Sequence, residues 1–331
     1  MKIAKKLLNA VAVSLAIYFG IALTLIYTQS PVELSGGGGL DFSNITRTAA
    51  SGPATQMFNA RDGAMLERRI YPGTNSARPL LILIHGSGWH GMQFDALAPK
   101  LRAVADVVVP DLRGHGVNPK KRGDLDYFDQ LEDDIADLIA LHRRDGQKVI
   151  LAGHSSGGGL VVRFAGGRHG TMIDGAVLMA PFLKYNAPTT RPNSGGWAHV
   201  LTRRIIGLTL LNNVNVKWLN HKIVIQFNFP QTVLDGPLGA TATTAYSYRF
   251  NRAFAPRDDY LRDVAALPKF LLIVGDKDEA FVATAYAPLM SEVNAKGRYV
   301  LVKDVGHLDI VNAQQTEQAI SAFIGEFNSA D

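Results

Sequence analysis

Two kinds of hydrophobic pattern alternate along most of this chain. Residues 80–84, 149–152 and 270–274 are apolar at every position, as strands buried on both faces of a sheet are. Residues 129–144 carry apolar side chains three and four positions apart, which predicts an amphipathic helix. By the same criteria, further strands are predicted at 107–110, 175–179 and 298–302, and further helices at 93–105, 283–293 and 313–327.

This alternation of strands and helices predicts a mostly parallel sheet with helices on both faces. In such a sheet, binding and catalytic residues gather at the carboxyl ends of the strands. A β-hairpin is predicted ahead of the alternation, with arms at 56–60 and 65–71 and a turn containing Asp62-Gly63. Folded structure is therefore expected to start near Thr55.

The alternation stops between about residues 182 and 267, after the sixth predicted strand. A structureless loop of that length is unusual inside a compact domain, so we predict a cap over the site. The apolar side chains of the cap either line an acyl pocket or pack the cap onto the body, and the sequence leaves both open. One helical face is predicted inside the cap, formed by Trp197, Leu201, Ile205, Leu208 and Leu211.

The N-terminal segment predicts a membrane helix. Residues 7–27 contain no charge and follow Lys2, Lys5 and Lys6, and about 20 apolar residues suffice to span a bilayer. The length favours an uncleaved signal anchor over residues 1–29, with a cleaved signal peptide as the alternative. Because lysines stay on the cytoplasmic side, the remaining chain is expected outside the cytoplasm as a single-pass protein. Residues 30–54, with the run Gly36–Gly39, predict a flexible linker that lets the domain stand off the membrane.

Composition narrows the possible chemistry. The 331 residues are 47% hydrophobic and 19% charged, which is typical of a globular protein. The net charge is +5 without a basic stripe, so nucleic acid is not expected as a partner. The chain has no cysteine, which excludes disulfides and thiolate metal ligands, and no metal-ligand spacing is present. Neither a metal nor a cofactor is expected, and the oligomeric state is left open.

The most informative stretch follows the predicted strand at 149–152. It reads Gly153-His154-Ser155-Ser156-Gly157 and leads into a helical pattern. A serine hydroxyl is a weak nucleophile, so an enzyme that uses one holds it on a sharp turn beside a base. Glycines two positions before and after the serine permit such a turn, and the helix N-terminus behind it stabilises negative charge. Ser155 is therefore predicted to be a nucleophile.

A serine nucleophile needs a histidine that takes its proton and a carboxylate that orients the histidine. His307 follows the predicted strand at 298–302, and Asp278 follows the strand at 270–274. All three residues are thus expected at the carboxyl edge of the sheet. Asp276 lies at the same strand end and is the rival for the acid.

These features resemble an α/β-hydrolase over residues 55–331. His85-Gly86-Ser87-Gly88-Trp89-His90 is similar to the H-G-x-G-x-H segment of the monoacylglycerol lipase and lysophospholipase group, which includes serine aminopeptidase-like members. The stretches Asp111-Leu112-Arg113-Gly114-His115-Gly116 and Gly153-His154-Ser155-Ser156-Gly157 also resemble that group. The chain departs from it at Gly91, where the group usually carries serine, and at Ser156, where it usually carries methionine.

The resemblance implies an α/β-hydrolase fold and a role for each residue. Ser155 would attack an acyl carbonyl, His307 would carry the proton, and Asp278 would orient the histidine, since the group places its acid three positions after the glycine. The backbone N–H groups of Ser87 and Ser156 would hold the oxyanion. The implied activity is hydrolysis of carboxylic esters, with lipid-like esters such as monoacylglycerols or lysophospholipids favoured by the apolar cap and the membrane helix. The same residues also serve amide, thioester or carbon–carbon bond cleavage, and a binding protein without activity is the remaining alternative.

Overall fold

The computed structural model describes residues 1–43, 52–74, 78–117 and 119–328. The strands are β1 (Gln56–Asn59), β2 (Met65–Tyr71), β3 (Leu80–Ile84), β4 (Asp106–Pro110), β5 (Val149–His154), β6 (Gly175–Met179), β7 (Ala198–Val200), β8 (Ile223–Phe227), β9 (Ala245–Ser247), β10 (Lys269–Gly275) and β11 (Gly297–Val302). Eight of them form one sheet in the order β1-β2-β4-β3-β5-β6-β10-β11. The pairs β1–β2 and β2–β4 are antiparallel and the others are parallel, as expected for an α/β-hydrolase fold.

The helices of the domain cover both faces of the sheet. The central strands β3 and β6 are buried at every position, which explains why their sequences are apolar throughout. The helices are α1 (Lys2–Tyr27), α2 (Ala98–Leu101), α3 (Gln130–His142), α4 (Ser156–Ala165), α5 (Thr202–Asn213), α6 (Gln231–Leu234), α7 (Tyr248–Phe254), α8 (Tyr260–Ala265), α9 (Tyr286–Ser291) and α10 (Gln314–Asn328).

The region between β6 and β10 folds into its own small layer. A three-stranded antiparallel sheet, formed by β7 (Ala198–Val200), β8 (Ile223–Phe227) and β9 (Ala245–Ser247), lies beside α5. Helix α7 follows β9 directly, with the Ser247 side chain accepting a hydrogen bond from Phe250 N–H as its N-cap. Helix α8 packs against α4 of the body, so the end of the inserted region belongs to the main domain rather than to the cap.

The second half of α1 packs on the cap. Ala22 and Ile26 are fully buried in an apolar cluster with Leu208 and Leu211 of α5. Gly207 permits this close contact, because a Cβ there would lie 2.5 Å from the carbonyl oxygen of Ala22. Residues 1–17 of the same helix are exposed. Helix α1 is long and apolar enough to cross a membrane, a property that signal sequences share.

The described part of the expected linker does not stand free of the domain. The Gln226 side chain in β8 accepts a hydrogen bond from Val32 N–H at 2.9 Å and donates one to Val32 C=O at 2.7 Å. Phe42 is buried against Trp197 and Phe229, with ring centroids 5.5 and 5.6 Å away. Residues 30–43 therefore follow the cap surface, contrary to the expected flexible tether. Residues 44–51 of the expected linker lie outside the described residues.

Three predicted helices were placed too broadly. The helix expected at 93–105 is a 3₁₀ turn (Gly91–Phe94) followed by the short α2, because Pro99 fits only in the first turn of a helix. Pro288 likewise limits the helix expected at 283–293 to a 3₁₀ turn and α9. The helical face expected from Trp197 to Leu211 begins only at Thr202, since residues 198–200 pair as strand β7.

Candidate active site

Ser155 lies on a strained turn between β5 and α4. Its backbone has φ 54° and ψ −122°, a conformation that is costly for a residue with a side chain. The two glycines of the motif allow the turn. A Cβ on Gly153 would lie 2.3 Å from the carbonyl oxygen of Gly157, and a Cβ on Gly157 would lie 2.3 Å from that of Ile84. The turn thus holds the serine hydroxyl at the carboxyl edge of the sheet.

The structure brings Ser155, His307 and Asp278 into one line. Ser155 Oγ lies 3.0 Å from His307 Nε2, and His307 Nδ1 lies 2.8 Å from Asp278 Oδ2. Because Nδ1 faces a carboxylate oxygen, it carries the ring proton, which leaves Nε2 free to accept the serine proton. The Asp278 carboxylate is buried, and its Oδ1 accepts hydrogen bonds from the N–H groups of Ala280 and Phe281 at 2.9 and 2.7 Å.

Two backbone N–H groups in the loops next to Ser155 have no acceptor among the described residues. They belong to Ser87, in the loop after β3, and to Ser156, at the start of α4, and neither donates to any described residue. The Oγ atoms of Ser87 and Ser156 lie 2.5 Å apart, so the two loops meet beside Ser155. Paired N–H donors next to a nucleophile are the arrangement that stabilises an oxyanion.

A cavity at this site shares wall residues with a larger groove beside the cap. A space of about 60 Å³ borders Ser155 and His307 and is walled by Phe182, Ile225 and Phe254. Phe182 and Ile225 also border a groove of about 470 Å³ whose wall includes Ile205 and Ile206 of α5. Apolar atoms form most of the surface of the groove, and its polar lining residues include Lys184, Arg191, Arg252 and Asp258. A second small space beside Ser155 is closed by Leu40 and Phe42.

A family model described as the alpha/beta hydrolase family matches residues 81–320, which is most of the chain. The chain belongs to the alpha/beta hydrolase family.

Similar proteins include lipases and esterases. Over 154 residues, this alpha/beta hydrolase is 29% identical to the monoglyceride lipase of Homo sapiens, a match that covers 46% of this chain and 49% of that one. The chain therefore spans about half the length of that curated relative. Among solved structures, a soluble variant of monoglyceride lipase from Saccharomyces cerevisiae has a TM-score of 0.66 at 17% identity, covering 88% of this chain and all of the other. A bacterial membrane phospholipase A has a TM-score of 0.58 at 18% identity, with both chains fully covered. At these identities the structures show the shared fold alone.

The rival acid of this alpha/beta hydrolase lies apart from the histidine. Asp276 is exposed, and its Oδ1 accepts a hydrogen bond from Asp304 N–H at 2.7 Å. Glu279, three residues further along, contacts the backbone of His307 and not its imidazole, since Glu279 Oε2 accepts a hydrogen bond from His307 N–H at 2.7 Å. Of the two aspartates at this strand end, only Asp278 reaches the imidazole.

Several side chains near the site were not singled out from the sequence. Tyr246, from cap strand β9, borders the cavity, and Leu40 and Phe42 close its other side. Nothing in the local pattern marks these residues, because each approaches the site through the fold of the cap. Among the described residues, no group of three or more histidine, aspartate or glutamate side chains is arranged to hold a metal ion.

Four histidines next to the catalytic loops are buried and neutral. Burial lowers the pKa of His85 and of His90 to about 4. Burial also lowers the pKa values of His115 and His154 well below the ordinary value. His85 fixes the loop that carries Ser87, since its Nδ1–H donates to Gly86 C=O at 2.9 Å and its Nε2 accepts from Leu112 N–H at 3.0 Å. None of the four is placed to act as a second base, because Ser155 Oγ bonds to His307.

Proposed function

We propose that this protein is a serine hydrolase that cleaves carboxylic esters through an acyl-enzyme on Ser155. The line of Ser155, His307 and Asp278 carries the proposal, since its distances and tautomer are those of an activated nucleophile. We assign His307 as the base and Asp278 as the residue that orients it. We assign the oxyanion hole to the backbone N–H groups of Ser87 and Ser156.

The reaction proceeds in two halves. Ser155 Oγ attacks the acyl carbon while its proton passes to His307 Nε2, and the carbonyl oxygen becomes an oxyanion held by the two N–H groups. His307 then gives the proton to the leaving alcohol as the carbon–oxygen bond breaks. In the second half, water loses a proton to His307 and attacks the acyl-enzyme. His307 then returns this proton to Ser155 Oγ as the bond between the acyl carbon and Oγ breaks, which releases the carboxylic acid and restores the free serine.

Lipid-like esters are the substrates that the site favours. The groove beside the cap has a mostly apolar surface and shares wall residues with the cavity at Ser155, so we place an acyl chain there with its carbonyl at the nucleophile. The sequence similarity to the monoglyceride lipase of Homo sapiens supports the same substrate class.

The nucleophile is tested with a fluorophosphonate probe on the full-length protein in detergent. Wild type is expected to be labelled, and Ser155→Ala is expected to lose labelling and ester hydrolysis. Ser291→Ala is the matched control, because this exposed serine is remote from the catalytic line and bonds only to Pro288 C=O among the described residues. Absence of labelling in the wild type, or equal labelling of Ser155→Ala, would refute the proposal.

A substrate panel then identifies the bond. p-Nitrophenyl esters of increasing acyl length, a matched thioester and a matched anilide are compared by kcat/KM. The proposal expects the esters to be preferred and longer acyl chains to be favoured over acetate. A preference for the thioester or the anilide would leave the assignment of Ser155 as nucleophile unchanged but would contradict the assignment of esters as the substrate class.

We further propose that α1 anchors the protein as a single-pass membrane helix, with the hydrolase domain on the non-cytoplasmic side. Lys2, Lys5 and Lys6 lie at its first turns and would remain cytoplasmic. A C-terminal alkaline phosphatase fusion, active only outside the cytoplasm, is expected to be active. An inactive fusion alongside an active cytoplasmic reporter would reverse the orientation.

A further inference from the structure

The peptide that carries the Ser87 N–H is held from both sides. Gly86 N–H donates to Gln93 Oε1 at 2.9 Å, and Gly88 N–H donates to Tyr246 Oη at 2.6 Å. Both acceptors are buried side chains. The Ser87 N–H between them has no acceptor among the described residues, and Ser87 borders the cavity at Ser155. The neighbours of the oxyanion donor are therefore fixed while the donor itself stays available.

On the body side, further hydrogen bonds connect Gln93 to His154, which precedes Ser155, and to His307. Gln93 Nε2 donates to His154 Nδ1 at 2.8 Å, and His154 Nε2–H donates to His307 C=O at 2.9 Å. These directions are the only consistent ones, because burial lowers the pKa of His154 and a neutral ring carries a single N–H. His154 directly precedes Ser155, so one chain of hydrogen bonds connects the loop that carries Ser87, the turn that carries Ser155 and the loop that carries His307.

On the cap side, the direction of the hydrogen bonds made by the Tyr246 hydroxyl is determined as well. His115 Nδ1–H donates to Arg113 C=O at 3.3 Å, so His115 Nε2 accepts the hydroxyl proton of Tyr246 at 2.7 Å. Burial raises the pKa of Tyr246, which keeps this proton on the phenol. The Tyr246 oxygen is then left as an acceptor, and Gly88 supplies the N–H. The Tyr246 ring is packed against Phe227 and Phe250, with centroids 4.7 and 4.3 Å away.

We propose that Gln93 and Tyr246 are positioning residues that hold the Ser87 N–H in the oxyanion hole, one from the body and the other from the cap. The inference rests on the proposed serine hydrolase function and adds to it that the cap is part of the catalytic apparatus. Oxyanion donors act only when they lie 2.7–3.1 Å from the developing charge. Without its acceptor, a buried Gly86 or Gly88 N–H has to find another partner, which turns the neighbouring Ser87 peptide away from that position.

Tyr246→Phe tests the cap side, since it removes one hydroxyl and leaves the ring. Loss of a whole oxyanion donor costs about 10²–10³ in rate, so a misplaced donor is expected to lower kcat by about tenfold or more. KM should change by less than about threefold, because the ground-state ester does not need the donor. The Ki of a trifluoromethyl ketone, which forms an oxyanion on Ser155, is expected to rise in parallel with the fall in kcat.

Tyr248→Phe is the matched control. Tyr248 is a buried tyrosine two residues along, and its hydroxyl bonds to Thr209 Oγ1 at 3.0 Å rather than to the oxyanion loop. The control should keep kcat, KM and Ki within about twofold while losing a similar buried hydrogen bond. Gln93→Met tests the body side, and it is expected to give the same pattern as Tyr246→Phe. Thermal unfolding confirms that each variant is folded.

The outcomes separate this inference from the proposed function. A wild type that neither reacts with the fluorophosphonate nor hydrolyses esters overturns the function itself. If the wild type is active, the inference is overturned when both variants keep kcat and Ki within about twofold, or when kcat falls without a rise in Ki. If Tyr246→Phe does not fold, Gln93→Met decides by the same two measurements.

Discussion

Replacing Asp278 by asparagine is the sharpest test of the catalytic line. Two backbone N–H groups donate to Asp278 Oδ1, so the oxygen of the new amide is held in that position. The amide nitrogen then takes the place of Oδ2 and directs an N–H at His307 Nδ1, 2.8 Å away. His307 must accept there, so its proton moves to Nε2. That atom can no longer take the proton of Ser155.

The expected loss follows from this tautomer and from the missing charge. An imidazolium and a carboxylate with charge centres about 4 Å apart interact by roughly 4 kcal/mol at an effective dielectric constant of about 20. That energy alone corresponds to about 10³ in rate, and the wrong tautomer extends the fall in kcat to about 10⁴. The assay is kcat for a soluble p-nitrophenyl ester, with the rate of fluorophosphonate labelling as a second measurement.

Asp276→Asn is the control for this change. Asp276 lies at the same strand end, is exposed, and accepts a hydrogen bond from Asp304 N–H. Its replacement should leave kcat within about twofold, as for other surface substitutions. A Asp278→Asn variant that keeps more than about a tenth of the wild-type kcat, or an Asp276→Asn variant that loses as much as Asp278→Asn, would refute the assignment of the acid.

Three further predictions follow from other parts of the site. Gly157→Ala places a Cβ 2.3 Å from the carbonyl oxygen of Ile84, so we expect a loss of about 1–3 kcal/mol in the free energy of unfolding and slower labelling of Ser155; an unchanged melting temperature would contradict this. Ile225→Ala removes an apolar side chain that borders both the cavity at Ser155 and the groove, and kcat/KM for long acyl chains relative to acetate should fall by about tenfold; an unchanged ratio would show that the groove does not bind the acyl chain. Acid should destabilise the fold between pH 6.5 and 4, because the buried histidines stay neutral in the folded state while those of the unfolded chain bind protons. Each of these histidines lowers the free energy of unfolding by up to about 1.4 kcal/mol per pH unit. Melting temperatures at pH 7, 6 and 5 measure this effect, and equal values would contradict it. The histidines concerned are His85, His90, His115 and His154.

The parallel strands and the turn at Ser155 are predictable because their signals are local. Strand β3 is apolar at each of its five positions because both of its faces are covered, as is typical of a strand at the centre of a parallel sheet. Gly153 and Gly157 are required by contacts within a few residues and with the adjacent strand. The mostly parallel sheet, the hairpin ahead of it and the α/β-hydrolase fold are confirmed on this basis.

The cap and the N-terminal segment depend on contacts between distant parts of the chain. Tyr246 meets Gly88 across 158 residues, and Val32 meets Gln226 across 194, so no local pattern announces either contact. The glycine-rich composition of residues 36–39 predicted flexibility. Instead, the missing side chains let this backbone lie close to the cap, since a Cβ on Gly39 would be 2.7 Å from Trp197 N. The same absence of side chains that loosens a free chain allows close packing when a surface is available.

The packing of α1 on α5 sets how deep the cap must sit. Among the described side chains of α1, Tyr18 is the first that hydrogen-bonds to α5, through its hydroxyl to Leu210 C=O. The uncharged residues ahead of that contact, 7–17, measure only roughly 17 Å at about 1.5 Å per residue. This is about half of the ~30 Å of hydrocarbon in a bilayer. If α1 is the anchor, the part of it that packs on α5 would therefore also have to lie in the hydrocarbon. The cap would then be partly embedded in the outer leaflet, and the hydrolase domain would not be separated from the membrane surface.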